Sequence, residues 1–295
     1  MVAQHPDALT SATAARLRAA GCVFAEDEAR LLLATARTAD DLAAMVDRRA
    51  SGLPLEHVIG WAEFCGLRIT VGPGVFVPRR RSEFLVAQAV AAITSRGQTP
   101  AVPLVLDMCC GSGALGLAVA TALSGAERGR TEAGTAPPDR TERGGAEPVA
   151  VELYAADIDP GATGYARHNL AAVGGEVYEG DLYDGLPANL RGRIDVIVVN
   201  APYVPTGEIG LMPAEARLHE PLVALDGGTD GVSIHRRVAA EAPEWLAPGG
   251  SLLIETSEQQ AALTEAAMAE AGLTTSIVTD DDLDTTVVIG RAAAS

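Results

Sequence analysis

Residues 105–116 read Val-Leu-Asp-Met-Cys-Cys-Gly-Ser-Gly-Ala-Leu-Gly, a predicted strand that passes through a glycine-rich turn into a helix. A turn with few side chains lets a ligand approach the backbone, where free N–H groups at the start of a helix can bind it. The spacing Gly111-x-Gly113-x-x-Gly116 also satisfies the dinucleotide-binding fingerprint, but this is weak evidence alone, since the glycines could merely close the turn. Six residues are candidates for ligand binding: Asp107, Cys109, Cys110, Gly111, Ser112 and Gly113.

Short apolar runs separated by helical segments follow this stretch, a pattern typical of a parallel sheet with crossover helices. Seven strands are predicted: Leu104–Met108, Val151–Ala156, Glu176–Tyr178, Ile194–Val199, Ser251–Glu255, Ser276–Val278 and Thr285–Ile289. The expected fold is therefore α/β, with a seven-stranded, doubly wound sheet.

Acidic residues stand at the ends of the second and third predicted strands. Asp157 ends the second strand, where a carboxylate can accept both ribose hydroxyls of an adenosine ligand. Asp159 is a rival, but it precedes Pro160 and is expected to cap a helix. Asp181 and Leu182 follow the third strand, where Asp181 could accept the adenine amino group and Leu182 could pack on the ring. All of these positions lie at the carboxyl edge of one sheet, where open α/β folds bind ligands.

Asn200-Ala201-Pro202-Tyr203 directly follow the predicted strand Ile194–Val199. An amide, a rigid proline and an aromatic ring at the end of a buried strand can hold a planar NH2 group, with carbonyl oxygens accepting its protons. A plain strand-end turn would explain Asn200 alone. Together with the upstream ligand signature, the four residues are predicted to be catalytic in a reaction at an amino or amide nitrogen.

The chain divides into three predicted regions. Residues 1–59 are expected to form a small helical domain, because apolar residues recur at helical spacing from Ser11 to about Ser51 and Asp40-Asp41 can open a helix. Residues 60–79 predict a β-hairpin linker, and residues 80–295 the α/β domain. Residues 124–148 have almost no large apolar side chain, so we expect a disordered insertion.

The composition limits the classes of function. The formal net charge of the 295 residues is −17, and from residue 150 onward 23 acidic residues face 7 arginines, which weighs against nucleic acid as the main partner of that half. The four cysteines have no Cys-x-x-Cys spacing, so reduced thiols and no metal site are expected. No apolar run approaches the ~20 residues of a membrane span and no signal peptide is evident, so we expect a cytoplasmic protein without membrane partners.

With these residues in place, the chain resembles the class I S-adenosylmethionine-dependent methyltransferases and, within them, the protein-glutamine methyltransferases that modify peptide-chain release factors. Beyond the glycine turn, the matching segments are Asn200–Tyr203, Gly74–Arg79 followed by Ser82-Glu83, His219–Leu225 and Val287–Arg291. The N-terminal helices, with Arg49 and Gly52-x-Pro54, resemble the family's substrate-recognition domain.

The resemblance implies a Rossmann-like fold, S-adenosylmethionine as cofactor and methyl transfer to the side-chain amide nitrogen of a glutamine. Asn200 through its side-chain oxygen and Ala201 through its main-chain carbonyl would accept the two N–H protons, and Tyr203 would pack the amide. Asn200 is also expected to contact the cofactor. The expected partner is a protein, a release factor, rather than a nucleic acid.

Three departures from the family pattern suggest a divergent branch. Cys109 replaces the first glycine of a Gly-x-Gly-x-Gly turn, and it is expected to fit if its backbone angles are ordinary. Ala201 replaces the first proline of Asn-Pro-Pro-Tyr, which predicts a looser site or a different substrate. Arg80-Arg81 replace a less basic pair, and the run from Arg79 is interpreted as a solvated charge run rather than a contact for an acidic partner or ribosomal RNA.

Three other functions remain open from the sequence. An adenine or cytosine amino methyltransferase faces the same geometric problem, and label transfer to nucleic acid would identify it. A nicotinamide-dependent oxidoreductase would use the glycine turn but lacks an evident hydride-transfer acid. A non-catalytic cofactor-binding relative is the third alternative, and Ala201 is the feature that favours it.

Overall fold

The computed structural model describes residues 6–96, 102–125 and 150–294. The predicted insertion falls largely outside these ranges. Its first two residues, Ser124 and Gly125, form the turn that ends a helix. Within the described part of the chain, no helix is long and apolar enough to cross a membrane.

Four helices form the N-terminal region, as the apolar spacing predicts: α1 (Pro6–Ala19), α2 (Ala25–Thr35), α3 (Ala39–Ala50) and α4 (Leu55–Ile59). They pack around their own apolar cluster, which includes Leu17, Leu32 and Met45. The acidic start of α3 is confirmed, and the Thr38 side chain caps it by accepting the Asp41 backbone N–H at 3.1 Å.

A two-stranded antiparallel hairpin follows, made of β1 (Trp61–Phe64) and β2 (Leu67–Thr70). Its two loop residues, Cys65 and Gly66, have φ angles of 51° and 70°, as a type I′ turn requires. Asn169 holds the hairpin against the α/β region, because it bonds both the N–H and the C=O of Thr70 at 2.9 Å and also donates to the Ser112 carbonyl.

The remaining elements form the α/β region. Its helices are α5 (Glu83–Thr94), α6 (Ala114–Leu123), α7 (Pro160–Leu170), α8 (Ala214–His219), α9 (Ser233–Trp245) and α10 (Glu258–Glu270). Its strands are β3 (Leu104–Met108), β4 (Glu152–Asp157), β5 (Glu176–Glu179), β6 (Ile194–Val199), β7 (Leu246–Thr256), β8 (Thr274–Asp280) and β9 (Thr285–Arg291).

These seven strands form one sheet in the order β5-β4-β3-β6-β7-β9-β8. The predicted seven-stranded, doubly wound sheet is therefore confirmed, but the expectation that it is parallel throughout is wrong. β9 pairs antiparallel to both β7 and β8. The connection from β8 to β9 is residues 281–284, which is long enough for a hairpin and too short for the crossover that parallel strands need.

Both faces of the sheet are buried, which explains the nearly continuous apolar runs. Val196 and Val198 of β6 join the cluster beneath α5, α6 and α7, whereas Ile197 and Val199 join the cluster beneath α9 and α10. Strand order reverses between β3 and β6, and a crevice opens at the carboxyl ends of strands at such a point.

Candidate active site

A cavity of about 240 Å³ lies at the carboxyl ends of β3, β4 and β6, beside this reversal. Eleven of the thirteen residues predicted for the site line it: Cys109, Cys110, Gly111, Ser112, Asp157, Asp181, Leu182, Asn200, Ala201, Pro202 and Tyr203. Asp107 and Gly113 do not line the cavity. The fold thus brings strand ends that are far apart in the sequence to a single wall.

Asp107 supports the glycine turn from beneath. Its Oδ2 accepts the backbone N–H of Gly116 at 2.8 Å, and the residue is fully buried. A Cβ added at Gly116 would lie 3.0 Å from the Asp107 Cβ, so this close approach explains the glycine. Burial raises the pKa of Asp107 to about 8, against the lowering effect of the Gly116 bond.

Cys109 does not have the ordinary backbone angles on which its expected fit depends. Its φ is +57°, in the left-handed region that favours glycine. The sharp turn between β3 and α6 imposes this conformation, which explains why the resembling family has glycine there. Leu182, which follows β5, has φ +53°. Strained residues that persist in a fold cluster at functional sites, and both of these line the cavity.

Asp157 ends β4 with both carboxylate oxygens in hydrogen bonds to the backbone. Oδ2 accepts the N–H of Gly111 at 2.8 Å and Oδ1 accepts the N–H of Asp159 at 2.9 Å. Burial raises its pKa, while these bonds lower it. Each oxygen keeps a lone pair, so the carboxylate can still accept hydroxyl protons from a ligand. The predicted capping role of Asp159 is confirmed, because it is the N-cap of α7 and accepts the Gly161 N–H.

Asp181 is not an isolated loop carboxylate. Its Oδ2 accepts a hydrogen bond from Arg237 of α9 at 2.9 Å, and both side chains are nearly half exposed. Arg237 also lines the cavity. The pair places a carboxylate beside the buried Leu182, so a polar edge and an apolar surface lie side by side.

Asn200 is oriented by Ser82, a contact that joins residues 118 positions apart. The Asn200 Nδ2 donates to the Ser82 Oγ at 3.1 Å, and Ser82 is 2% exposed. With its NH2 engaged in this way, the amide presents its oxygen Oδ1 as the free acceptor. Ser82 is itself part of the cavity wall.

Tyr203 is held at both ends. Its hydroxyl oxygen accepts a hydrogen bond from Arg81 at 2.6 Å, and its carbonyl oxygen accepts one from the Gln260 side chain at 2.8 Å. Burial and, to a smaller extent, the nearby Glu255 raise the pKa of Tyr203 to about 12 against the lowering effect of Arg81, so the phenol is neutral near pH 7. Tyr203 can pack a substrate but is a poor candidate for a general base.

The interpretation of the arginine run as solvated holds for Arg81, which is exposed, but Arg79 is half-buried, and both pair with carboxylates of the protein. Arg79 forms an ion pair with Glu220, and Arg81 lies 3.3 Å from a carboxylate oxygen of Glu255. Both carboxylate side chains are 1% exposed, and a buried charge requires a partner. Arg80 is exposed.

Sequence reasoning did not place several cavity residues in the site. Ser82, Arg81 and Arg237 contact predicted residues directly. Phe64 of the hairpin and Phe76 beyond it add aromatic surface to the wall. Ser82 and Phe76 left a signal, because both stand in segments that match the resembling family. Among the described residues, no group of histidine, cysteine and acidic side chains could hold a metal ion.

Comparison with known proteins gives close relatives. No protein-family model matches the chain. A release factor glutamine methyltransferase from Geobacter sulfurreducens is 34% identical over 227 residues, covering 75% of this chain and 68% of that protein. Another, from Mycolicibacterium smegmatis, is 35% identical over 262 residues, covering 87% and 82%. A 4-amino-L-phenylalanine/4-methylamino-L-phenylalanine methyltransferase from Streptomyces pristinaespiralis is 31% identical over 230 residues, covering 77% and 69%.

Proposed function

Because the chain belongs to the release factor glutamine methyltransferase family, we propose that it transfers a methyl group from S-adenosylmethionine to a glutamine side-chain amide nitrogen in a release factor. The observation that carries this proposal is Asn200, held by Ser82 at the end of β6 with its amide oxygen free. Membership of a methyltransferase family gives no support to the alternative of a nicotinamide-dependent oxidoreductase.

The residues of the cavity fit the proposed cofactor. Asp157 offers a carboxylate to a ribose, while Asp181 and Leu182 offer an acceptor and an apolar surface to an adenine. Gly111 has open space where a side chain would stand, so a ligand can approach the turn closely. S-adenosylmethionine supplies an electrophilic methyl group on a sulfonium. The proposed reaction uses it only as a methyl donor.

The chain's own residues would orient a weak nucleophile. An amide nitrogen reacts poorly because its lone pair is delocalised into its carbonyl group. Asn200 Oδ1 and the Ala201 carbonyl would accept the two N–H protons, aim the nitrogen and stabilise the positive charge that develops on it. Tyr203 would pack the planar amide. A strong base is unnecessary, since the nitrogen releases a proton readily once it carries positive charge.

A proline at position 201 would stiffen the loop, and in this chain hydrogen bonds of the residues that follow Ala201 restrain it instead. The Tyr203 carbonyl and hydroxyl are both bonded, and the Val204 N–H donates to the Leu225 carbonyl at 3.0 Å. The Val204 carbonyl accepts the Gly227 N–H at 2.9 Å. These bonds support an active enzyme rather than a non-catalytic relative.

The direct test measures tritium transfer from labelled cofactor to a purified release factor from the same genome. Asn200→Ala removes one acceptor of the proposed pair, so kcat should fall about 100-fold or more, while cofactor affinity by calorimetry stays within about five-fold. The matched control is Asn189→Ala, which removes an exposed asparagine of a short 3-10 helix that does not line the cavity.

Three results would contradict the proposal. If Asn200→Ala turns over as fast as the parent enzyme, the proposed role of Asn200 is refuted. Label in nucleic acid alone would identify an adenine or cytosine methyltransferase. Cofactor binding without transfer to any glutamine protein would favour the non-catalytic alternative.

A second candidate acceptor is a free aromatic amine. The relative from Streptomyces pristinaespiralis carries such a name, and Ala201 departs from the tetrad typical of protein-glutamine enzymes. The same assay with 4-aminophenylalanine in place of the release factor separates the two acceptors.

A further inference from the structure

A second cavity, which we call the acidic cavity, adjoins the active site on the far side of Tyr203. It also has a volume of about 240 Å³, and Tyr203 and Arg81 line both cavities. Its other walls are the end of β7, the start of α10 and the turn between β8 and β9. A substrate side chain packed against Tyr203 therefore has a neighbouring cavity that the methyl transfer itself does not use.

Three buried polar atoms in the wall of this cavity lack hydrogen-bond partners within the described chain: Glu255 Oε2, Thr256 Oγ1 and Thr285 Oγ1. Their residues are 1%, 3% and 7% exposed. The Glu255 carboxylate is bonded by Arg81 and by the Ser82 side chain, but its Oε2 has no partner among the described residues, and an unsatisfied buried carboxylate oxygen is costly. All three atoms can accept hydrogen bonds, so a ligand that donates several protons would satisfy them.

The charge of the cavity lining also favours a ligand that donates hydrogen bonds. Its lining contains five carboxylates, from Glu255, Glu258, Asp280, Asp281 and Asp284, and one guanidinium, from Arg81. Arg81 is already engaged by Glu255 Oε1 and the Tyr203 hydroxyl. Within the described residues, the carboxylates of the turn thus line the cavity without an ion pair of their own. They do not form a metal site, since no group of acidic side chains in the described ranges could hold one.

We infer that the acidic cavity binds a lysine or arginine side chain of the protein substrate, one that lies beside the methylated glutamine. This inference rests on the proposed function and adds a determinant of substrate choice. Such a side chain donates several hydrogen bonds and carries the charge that the lining lacks. It would act on substrate affinity rather than on the chemical step, because Asn200 and Ala201 lie in the other cavity.

The test compares carboxylates of one turn. Asp281→Asn and Asp284→Asn remove charges that line the cavity, and asparagine tolerates the φ of +48° at position 284. Asp282→Asn removes an equal charge from the same turn but does not line the cavity. In the labelled-methyl assay with release factor, each lining variant should raise KM about three-fold and the double variant about ten-fold, with kcat unchanged. The control should match the parent.

A reciprocal experiment identifies the substrate residue. Each lysine and arginine near the target glutamine is replaced by glutamine, one at a time. One replacement should raise KM with the parent enzyme but should cause no further rise with Asp281→Asn/Asp284→Asn, as expected for two groups that interact. Both effects should shrink at high salt.

The outcomes separate this inference from the proposed function. If the parent transfers methyl groups to release factor and the double variant has the KM of Asp282→Asn, the inference fails alone. If no substrate cation couples to the two aspartates, the inference also fails. If the parent transfers nothing to release factor, the proposed function and the inference fall together.

Discussion

Ser82 is the residue that turns Asn200 into an oriented acceptor. Without the Ser82 hydroxyl, the Asn200 NH2 would lose a partner at 3.1 Å inside a largely buried wall. An amide can rotate so that its donor and acceptor exchange places, and the rotated form would present N–H groups to the N–H groups of a substrate. Ser82 is therefore a positioning residue in the proposed reaction.

Ser82→Ala should lower kcat about ten-fold, because an unpaired buried donor costs roughly 1–3 kcal/mol and permits the wrong rotamer of Asn200. Cofactor affinity should stay within about two-fold. Ser82→Thr keeps the hydroxyl and should restore most of kcat. Steady-state kinetics with the release factor measure this, and thermal melts control for folding. A threonine variant as slow as the alanine variant would contradict the positioning role.

Helices α9 and α10 meet at a buried histidine. His235 is fully buried, and its Nδ1 lies 2.9 Å from the Thr264 hydroxyl of α10. Its Nε2 has no partner within the described residues. Burial lowers the pKa of His235 to about 4, with a smaller contribution from the charge of Arg236. The packing of this helix pair therefore keeps His235 neutral. The same two helices carry Arg237 and Gln260 of the site.

This histidine makes the fold sensitive to acid. Its folded pKa lies below the ordinary value of 6.5, so its contribution is complete above about pH 6.5 and is lost as the pH falls toward 4. The difference corresponds to about 3 kcal/mol. In urea unfolding, the free energy of unfolding of the parent should fall by about 3 kcal/mol more than that of His235→Gln between pH 7 and pH 4. His168→Gln, on the exposed face of α7, should behave like the parent, and an equal loss in both variants would refute the assignment.

Across the whole molecule, buried ion pairs connect regions that are distant in the sequence. Arg49 of α3 donates to both carboxylate oxygens of Glu28 in α2, at 2.7 and 3.0 Å. The same guanidinium lies 3.5 Å from Glu215 in α8, downstream of the proposed catalytic residues Asn200–Tyr203. Arg79 and Glu220 form a second such connection. These contacts fix the N-terminal helices, proposed here as the substrate-recognition domain, relative to the active site.

Glu28→Gln should lower the free energy of unfolding by about 3 kcal/mol, because it removes the buried bidentate partner of Arg49 and leaves that charge facing Glu215 at 3.5 Å. The double variant Glu28→Leu/Arg49→Leu should recover most of this loss, since it removes both charges. Urea denaturation provides the comparison. Asp27→Asn breaks the exposed pair with Arg30 and should cost less than about 1 kcal/mol. A double variant no more stable than Glu28→Gln would contradict this account.

Much of the architecture could be predicted from the chain because its signals are local. Apolar runs marked all seven strands, the glycine spacing marked the turn after β3, and strand-end positions marked Asp157 and Asn200. The direction of β9 was missed because periodicity reports the environment of a strand and not the direction of its partner. The φ of Cys109 was missed because composition does not report how sharply a turn must bend.

The sequence by itself determined the secondary structure, the strand ends that carry candidate residues and the family resemblance, since each depends on residues close together in the chain. Only the tertiary structure decided how those residues are used. The bonds of Ser82 to Asn200, Arg81 to Tyr203 and Arg81 to Glu255 span 118, 122 and 174 positions. No local pattern encodes such pairs, because they exist only once the sheet and its helices pack and exclude water. The acidic cavity beside Tyr203 arises from the same packing.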